Sequence, residues 1–376
     1  MLYYFDNAAT TQLDSSLAEL WKKYSCENYF NPSASSDHST EVFKAIEDAR
    51  IKVAKSLGAD ADEIYFTSGG TESDNLAILG AVGAKKGNIV TSRVEHPAVY
   101  NTIKHLKNKG IEIRYADLDG EGAAKEESIR SLVDDETLLV SLMHVNNETG
   151  AVNDIEKLSC AAKSKNKNLL FMSDGVQAYG KIPVRLHSAP IDLYTLSGHK
   201  IHAPKGVGAL FIKKGIRLSP VLHGGGQEKD IRPGTENVAN IVCLGKIAEQ
   251  LSADLINSNS NFENMKNTIL RIVSDSDLDF LNLSQNGTNS LIYLVFKNIK
   301  SEVLMRLLEN DGFIVGNGSA CSSKHKSSRL LEVLGVPKEY SEGGIRISFG
   351  KYNTVKQAEL LAEAIVKNAA ILKGVK

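Results

Sequence analysis

The chain has few cysteines, almost no net charge and no long apolar run. Its four cysteines lie at positions 26, 160, 243 and 321, and this spacing fits neither a metal-binding motif nor a disulfide framework. Its 44 basic and 45 acidic residues leave a formal charge of −1, so no global field would recruit nucleic acid or a membrane surface. No run approaches the roughly 20 apolar residues of a membrane span, and the first residues lack the pattern of a secretory signal. We therefore expect a cytoplasmic protein with no metal site, no membrane contact and no direct contact with nucleic acid.

The length of 376 residues suits two domains. Short apolar runs typical of buried strands end near Thr67, Thr91, Tyr115, Met143 and Met172. Segments with helical spacing of apolar residues lie between them, as in residues 155–165. This alternation predicts an α/β protein with a mostly parallel sheet covered by helices on both faces.

The character of the sequence changes after about residue 250. A polar stretch at 257–261 precedes isolated strand patterns at 291–296 and 345–349 and a long helical pattern at 354–372. We predict a large domain over residues 15–255 and a smaller α/β domain formed by residues 1–14 and 256–376.

Six polar residues come just after the carboxyl ends of predicted strands. They are Thr71, His96, Asn147, Asp174, Gln177 and Lys200. Ligands bind at this edge of open α/β sheets. Because polar residues scattered at random would not all fall there, the six together predict a binding site more strongly than any one of them.

Several of these residue types suit a ring that carries a phosphate. Gly69-Gly70-Thr71 opens a predicted helix, whose free amides attract a phosphate, although such turns are also ordinary connections. Asp174 could pair with a protonated pyridine nitrogen, or it could cap a helix. His96 could stack on a flat ring and move protons, or it could be a core histidine. Gln177 and Asn147 could donate hydrogen bonds to a ring oxygen or to a substrate carboxylate.

Lys200 ends the segment Ser197-Gly-His-Lys, between apolar runs that finish at Leu196 and Ile212. A lysine beside buried strands is costly unless it is paired or used covalently. An amine kept partly neutral by a desolvated site can form a Schiff base with a carbonyl, including that of pyridoxal phosphate. The alternative is a solvated loop lysine. Ser197 and His199 could complete a phosphate site.

Nine short motifs, in order along nearly the whole chain, resemble those of one family. They are Phe-Asp-Asn-Ala-Ala-Thr-Thr (5–11), Asn-Pro-Ser (31–33), Thr-Ser-Gly-Gly-Thr-Glu-Ser-Asp-Asn (67–75), Glu-His-Pro-Ala-Val (95–99), His-Val-Asn-Asn-Glu-Thr-Gly (144–150), Ser-Gly-His-Lys (197–200), Gly-Gly-Gly-Gln-Glu (224–228), Arg-Pro-Gly-Thr-Glu-Asn (232–237) and Gly-Ser-Ala-Cys-Ser-Ser (318–323). They are similar to motifs of the cysteine desulfurases of the NifS/IscS type, which are class V aminotransferases. The resemblance implies a fold-type I transferase dependent on pyridoxal phosphate, with a mostly parallel seven-stranded sheet in the large domain, which would bind the cofactor.

The resemblance also implies roles for the residues around this cofactor. Lys200 would bind it covalently, His96 would stack on the ring and serve as an acid or base, Asp174 would pair with the pyridine nitrogen, and Gln177 would bond the ring oxygen. Gly70, Thr71, Ser197 and His199 would hold the phosphate, and Thr235 would reach it from the other subunit of a homodimer. Asn147 would contact the cofactor and orient the substrate, Arg346 would pair with the substrate carboxylate, and Asn31 would assist.

Cys321 is the cysteine to which the resemblance gives a catalytic role. It lies in a segment rich in glycine and serine in the smaller domain, and the neighbouring Lys324, His325 and Lys326 could raise its thiolate fraction. The implied reaction converts L-cysteine to L-alanine, leaves a persulfide on Cys321 and passes the sulfur to an acceptor protein. Cys160 and Cys243, by contrast, lie in apolar helical patterns and are expected to be buried fillers.

Two departures from the family pattern bear on the acceptor. The Leu-Glu-Pro-Ser that usually follows the cysteine loop is missing, and the chain ends soon after its last predicted helix. We therefore expect a thiolation enzyme or a similar protein, more than an iron–sulfur scaffold, to receive the sulfur. Two other functions stay open on the same scaffold: a selenocysteine lyase and a non-catalytic binding protein.

Overall fold

The computed structural model describes residues 2–317 and 328–374, and for residues 252–257 it describes the backbone alone. The strands are β1 (Tyr3–Tyr4), β2 (Ile64–Thr67), β3 (Asn88–Thr91), β4 (Glu112–Tyr115), β5 (Thr137–Ser141), β6 (Leu170–Asp174), β7 (Leu193–Ser197), β8 (Gly208–Ile212), β9 (Phe280–Asn282), β10 (Leu291–Phe296), β11 (Phe313–Ile314) and β12 (Gly344–Ser348). The helices are α1 (Ala18–Lys22), α2 (Asp37–Leu57), α3 (Gly70–Val82), α4 (Pro97–Asn108), α5 (Glu126–Leu132), α6 (Ile155–Lys165), α7 (Val238–Ser274), α8 (Ser301–Asn310), α9 (Arg329–Val333) and α10 (Val355–Gly374). Within these described ranges, no helix combines the length and the apolar character needed to cross a membrane.

Seven strands form the main sheet, in the order β2-β8-β7-β6-β5-β3-β4. The five strands from β7 to β4 run parallel to one another, and β8 runs antiparallel to both of its neighbours. Parallel strands need crossover connections, and α3, α4, α5 and α6 lie between successive strands along the chain. The predicted seven-stranded, mostly parallel sheet is confirmed.

Helices cover both faces of this sheet. On one face, Ile78 of α3 and Ile103 of α4 belong to a buried apolar cluster with residues of the strands. On the other face, Val53 of α2 and Leu244 of α7 belong to a second such cluster. Because helices cover both faces of the sheet, a binding site can form only at the strand ends, and we expect it in the loops there.

Helix α7 crosses the predicted domain boundary, because its 37 residues run through position 255. Leu244 packs in a cluster of the main sheet, whereas Met265 and Ile269 pack in a separate apolar cluster. That separate cluster also contains Phe5 and Ile347. The division at residue 255 stays a prediction, since the buried side chains divide between clusters while one helix joins them.

The amino-terminal residues pack with the carboxyl-terminal part of the chain. Strand β1 pairs in parallel with β11, and β10 pairs antiparallel with both β9 and β12. The Asp6 backbone also forms a bridge with Ser348 at the end of β12. Residues 6–10 are thereby held beside the carboxyl edge of the main sheet, where His199 accepts a backbone hydrogen bond from Thr11 at 2.9 Å.

The expectation for Cys160 was wrong, since its side chain is exposed, whereas Cys243 is buried as predicted. The inward face of α6 is formed by Ile155, Leu158 and Ala162, which follow the spacing of one helical face. Cys160 falls between these positions and so points away from the sheet. An apolar neighbourhood in sequence was a poor guide here because the helical phase decides burial.

Candidate active site

A cavity of about 230 Å³ lies at the carboxyl edge of the main sheet. Nine of the residues predicted from the sequence line it: Gly70, Thr71, His96, Asn147, Asp174, Gln177, Ser197, His199 and Lys200. Asp174 and Ser197 end β6 and β7, and the others come from the segments that follow β2, β3, β5, β6 and β7. The parallel strands end together, so residues up to 130 positions apart in sequence meet in one place.

The amino end of α3 forms one wall of the cavity. Gly69 has φ 151° and ψ −175°, a conformation that favours glycine, and a Cβ on Gly70 would lie 2.7 Å from Val176 Cγ2. The first amides of a helix have no carbonyl partner within it and present partial positive charge. Together with the hydroxyls of Thr71 and Ser197, which line the same cavity, this wall can hold an anion such as a phosphate.

Asp174 ends β6 and is 5% exposed, with one carboxylate oxygen accepting a hydrogen bond from the Val176 amide at 2.9 Å. Burial raises the pKa of Asp174, while the positive charges of His96 and Lys200 lower it. A buried carboxylate of this kind is stabilised by a cation placed against it. Asp174 can therefore pair with a protonated nitrogen of a bound ring.

His96 lines the same cavity and caps helix α4. Its Nδ1 accepts a hydrogen bond from the Ala98 amide at 3.2 Å, which leaves Nε2 to carry the proton of the neutral ring. Burial lowers the pKa of His96 below its usual value. The imidazole is therefore a neutral, flat group that can stack on a ring and exchange a proton through Nε2.

Lys200 reaches the amino-terminal segment from the turn after β7. Its Nζ donates to the carbonyl oxygens of Ala8 and Ala9, both at 2.7 Å. Gln177 Nε2 donates to the same Ala8 oxygen at 2.8 Å. His199 Nδ1 lies 3.1 Å from Thr10 Oγ1, and burial lowers the pKa of His199 to about 4, so its ring is neutral. The amino-terminal segment thus forms part of the site.

Arg346 lies behind Asn147, in strand β12. Its Nη1 donates to the Asn147 carbonyl at 2.8 Å, and its Nη2 pairs with Asp6 at 2.7 Å. Its buried Nε has no hydrogen-bond partner in the described part of the chain. Arg346 is thus adjacent to the cavity and retains donor capacity, although it does not line the wall.

Two predicted residues are not brought to the cavity of this chain. Asn31 is exposed, and its side chain accepts a hydrogen bond from the Ser33 amide at 2.9 Å. Thr235 is also exposed and lies in the loop before α7. Cys321 lies outside the described residues, as do the charged neighbours predicted to act on its thiol.

The sequence interpretation missed two ionisable residues at this site. Asp74 lines the cavity, is 1% exposed and accepts a hydrogen bond from Thr195 Oγ1 at 2.8 Å. A carboxylate oxygen of Asp74, a carboxylate oxygen of Asp174 and a ring nitrogen of His96 all lie within 4.8 Å of one another. Burial raises the pKa of Asp74 well above its usual value. Asp74 could have been found, because it lies one helical turn after Thr71. Lys181 lies four residues after Gln177, with which it forms a hydrogen bond.

The chain is similar to known proteins over nearly its whole length. Residues 3–361 match the family described as aminotransferase class-V. A cysteine desulfurase IscS of Methanosarcina thermophila is 38% identical over 368 residues, which cover 96% of this chain and 90% of that protein. Another, of Dictyoglomus turgidum, is 39% identical over 357 residues, which cover 93% of this chain and 90% of that protein.

Solved structures show the same likeness. A NifS-like protein superposes with a TM-score of 0.92 and 34% identity, covering 99% of this chain and 100% of that one. A structure described as SspA in complex with cysteine superposes with a TM-score of 0.82 and 30% identity, covering 93% of this chain and 99% of that one. The chain therefore belongs to the class-V aminotransferase family, among the cysteine desulfurases of the NifS/IscS type.

Proposed function

We propose that this protein is a cysteine desulfurase dependent on pyridoxal phosphate, which converts L-cysteine to L-alanine and passes the sulfur to an acceptor protein. The observation that carries this proposal is the meeting of Lys200, Asp174 and His96 with the amino end of α3 in one cavity. An amine, a buried carboxylate, a neutral imidazole and an anion site are the groups that such a cofactor requires. The named relatives supply the choice of L-cysteine as substrate.

The residues present fit the cofactor. The α3 amides with Thr71, Ser197 and His199 would hold the phosphate, and Asp174 would face the ring nitrogen. Gln177, a side-chain donor, would bond the ring oxygen, and Lys200 offers its amine to the carbonyl carbon. When bound, pyridoxal phosphate supplies an electron sink that stabilises negative charge on the substrate α-carbon.

The protein's own groups would then bind the substrate and move its protons. Arg346 would take the substrate carboxylate, using planar donors suited to two oxygens, and Asn147 would orient it. The Lys200 amine would carry the α-proton of the substrate. The neutral His96 ring would stack on the cofactor and hold a proton at Nε2.

Cys321 would accept the sulfur. Its thiolate would attack the sulfur of the substrate, forming a sulfur–sulfur bond while the carbon–sulfur bond breaks. The electron pair goes to the carbon, which gains a proton, so alanine leaves and a persulfide stays on the enzyme. The persulfide would then react with an acceptor protein, either a thiolation enzyme or an iron–sulfur scaffold, and the protein is therefore a sulfurtransferase in this proposal.

The active unit would be a homodimer. Thr235 is exposed on its own chain, in a loop whose Glu228 accepts two hydrogen bonds from Arg50, both at 2.8 Å. A loop fixed at its base with an exposed hydroxyl suits donation to the phosphate site of a second subunit. A cytoplasmic location, expected from the sequence, stays a prediction.

Substitution of Lys200 tests the proposal. We expect the wild-type protein, incubated with pyridoxal phosphate, to gain a visible absorbance band and to form alanine from L-cysteine. Lys200→Ala should lose both, whereas Lys205→Ala, which removes an exposed lysine nearby, should keep both. A wild-type protein that binds the cofactor but forms no alanine would contradict the proposed reaction, and selenocysteine would be the next substrate to examine.

A further inference from the structure

Lys181 is joined to the proposed catalytic lysine by a chain of hydrogen bonds. Lys181 Nζ donates to Gln177 Oε1 at 2.6 Å, and Gln177 Nε2 donates to the Ala8 carbonyl at 2.8 Å. Lys200 Nζ donates to the same Ala8 oxygen at 2.7 Å. The two amines are therefore separated by one amide side chain and one carbonyl.

These contacts determine which way the Gln177 amide faces. An ammonium group can only donate a hydrogen bond, and a backbone carbonyl can only accept one. Lys181 on one side and Ala8 on the other therefore require Gln177 to place its oxygen toward Lys181 and its NH₂ group toward the site. Without Lys181, the bond to the Ala8 carbonyl alone would oppose a turn of the amide that presents its oxygen to the site.

Lys181 also lines a second, smaller cavity, to which Lys200 contributes as well. This cavity measures about 60 Å³, and its polar lining includes Lys181, Lys200, His202 and Lys351. Lys351 is paired with Asp14 through a charged hydrogen bond, which leaves Lys181 and Lys200 as neighbouring amines in this cavity.

The charged groups around Lys181 come from separate segments. Burial is the main cause that lowers the pKa of Lys181 to about 7, followed by the positive charges of Lys200 and Arg346. His202 is itself held neutral because burial lowers its pKa. Repulsion between two amines is reciprocal, so a proton on Lys181 also disfavours a proton on Lys200.

We propose that Lys181 is a positioning residue of this site, which holds the Gln177 NH₂ group toward the cofactor and places a second positive charge beside Lys200. This inference about Lys181 rests on the proposed function, in which Gln177 and Lys200 contact pyridoxal phosphate. A donor at the ring oxygen and a cation near the lysine nitrogen both disfavour a proton on that nitrogen. Lys181 therefore favours an unprotonated Lys200 nitrogen up to about pH 7, the range in which Lys181 itself is charged, without touching the substrate.

The first test titrates the visible absorbance of the loaded enzyme with pH. Lys181→Met should raise the pH midpoint of the absorbance change by about one unit or more. Lys181→Arg, which keeps a charged donor, should stay near the wild-type midpoint. Lys351→Met is the matched control, because Lys351 lines the same small cavity but donates its hydrogen bond to Asp14, and the shift should be clearly smaller.

The second test does not depend on the cofactor. In cofactor-free protein, acetic anhydride labels unprotonated amines, and peptide mass spectrometry gives the labelled fraction of Lys200 at each pH. Lys181→Met should move the Lys200 labelling midpoint upward by a similar amount. An unchanged Lys200 midpoint, or equal shifts in Lys181→Met and Lys351→Met, would overturn the inference. If the wild type never binds pyridoxal phosphate, the proposed function fails, and the labelling result still decides the effect of Lys181 on Lys200.

Discussion

The Arg346 guanidinium and the Asp6 carboxylate form a largely buried ion pair, with Nη2 and Oδ1 2.7 Å apart. This pair joins β12 to the amino-terminal segment that also contacts Lys200. It fixes the guanidinium beside the cavity with its Nε still able to donate. The arrangement is the basis for expecting Arg346 to bind the substrate carboxylate.

Replacing Arg346 by lysine should weaken substrate binding more than it slows chemistry. Lysine keeps the charge but loses the planar pair of donors, so we expect KM for L-cysteine to rise roughly tenfold or more with a smaller change in kcat. Steady-state alanine formation measures both constants. Arg130→Lys, an exposed arginine paired with Glu126, is the control and should leave KM unchanged. An unchanged KM in Arg346→Lys would remove this residue from the substrate site.

Glu95 should make the protein less stable as pH rises. It is 1% exposed, and burial raises its pKa to about 8. Between its ordinary pKa and about 8, the unfolded chain binds fewer protons than the folded one, so the free energy of unfolding falls with increasing pH. Glu95→Gln cannot ionise, and its stability relative to wild type should grow by roughly 1 kcal/mol per pH unit in this window.

Urea unfolding of cofactor-free protein near pH 5.5 and near pH 7.5 measures this difference. Glu302→Gln, at an exposed position in the first turn of α8, is the control and should show no such trend. A difference between Glu95→Gln and wild type that stays constant with pH would contradict the buried, protonated state of Glu95.

Gly175 and Tyr194 should behave as a coupled pair. A Cβ on Gly175 would lie 2.0 Å from Tyr194 Cζ, so Gly175→Ala should destabilise the protein by about 1–3 kcal/mol through overpacking. Tyr194→Met should make room, so the double variant should be less destabilised than the sum of the single variants. Thermal unfolding of the wild type, the two single variants and the double variant measures this coupling. Gly120→Ala, where a Cβ would meet nothing within 4 Å, is the control, and additive effects would argue against the contact.

Thr235 should act on the phosphate of the other subunit. Losing one hydrogen bond to a charged group should weaken cofactor binding roughly tenfold in Thr235→Ala, whereas Thr235→Ser keeps the hydroxyl and should bind normally. A mixed dimer with Lys200→Ala in one subunit and Thr235→Ala in the other distinguishes action of Thr235 across the interface from action within its own subunit. If Thr235 acts across the interface, the mixed dimer contains one intact site and binds the cofactor there with wild-type affinity. Weak binding at every site would place Thr235 in its own subunit's site, and normal binding by the Thr235→Ala homodimer would place it outside any site.

Much of the site was predictable because parallel strands end at one edge. His96, Asp174 and Lys200 each lie at or just after the carboxyl end of an apolar strand, and that position alone was enough to expect them together. The hydrogen bonds from Lys200 to Ala8 and Ala9 were not predictable, since these residues are 192 and 191 positions apart in sequence and no local pattern marks them. The Asp6–Arg346 pair was missed for the same reason.

Helical phase explains two other differences. Cys160 is exposed because it falls off the inward face of α6, although its neighbours are apolar. Asp74 lines the cavity because it shares a helix face with Thr71. This spacing is visible in the sequence, but the prediction there used only the glycine turn and Thr71. The burial of Asp74 depends on the closing of α3 over β7, which only the folded structure shows.

The transfer of sulfur through Cys321 is the central claim, and alanine formation tests it most directly. Wild-type protein, loaded with pyridoxal phosphate and supplied with L-cysteine and a thiol reductant, should form alanine over many turnovers. Cys321→Ser should form almost none, while Cys160→Ser, which removes an exposed thiol of helix α6, should match the wild type. Alanine formed by Cys321→Ser at the wild-type rate would contradict a persulfide on Cys321 and would require another sulfur acceptor.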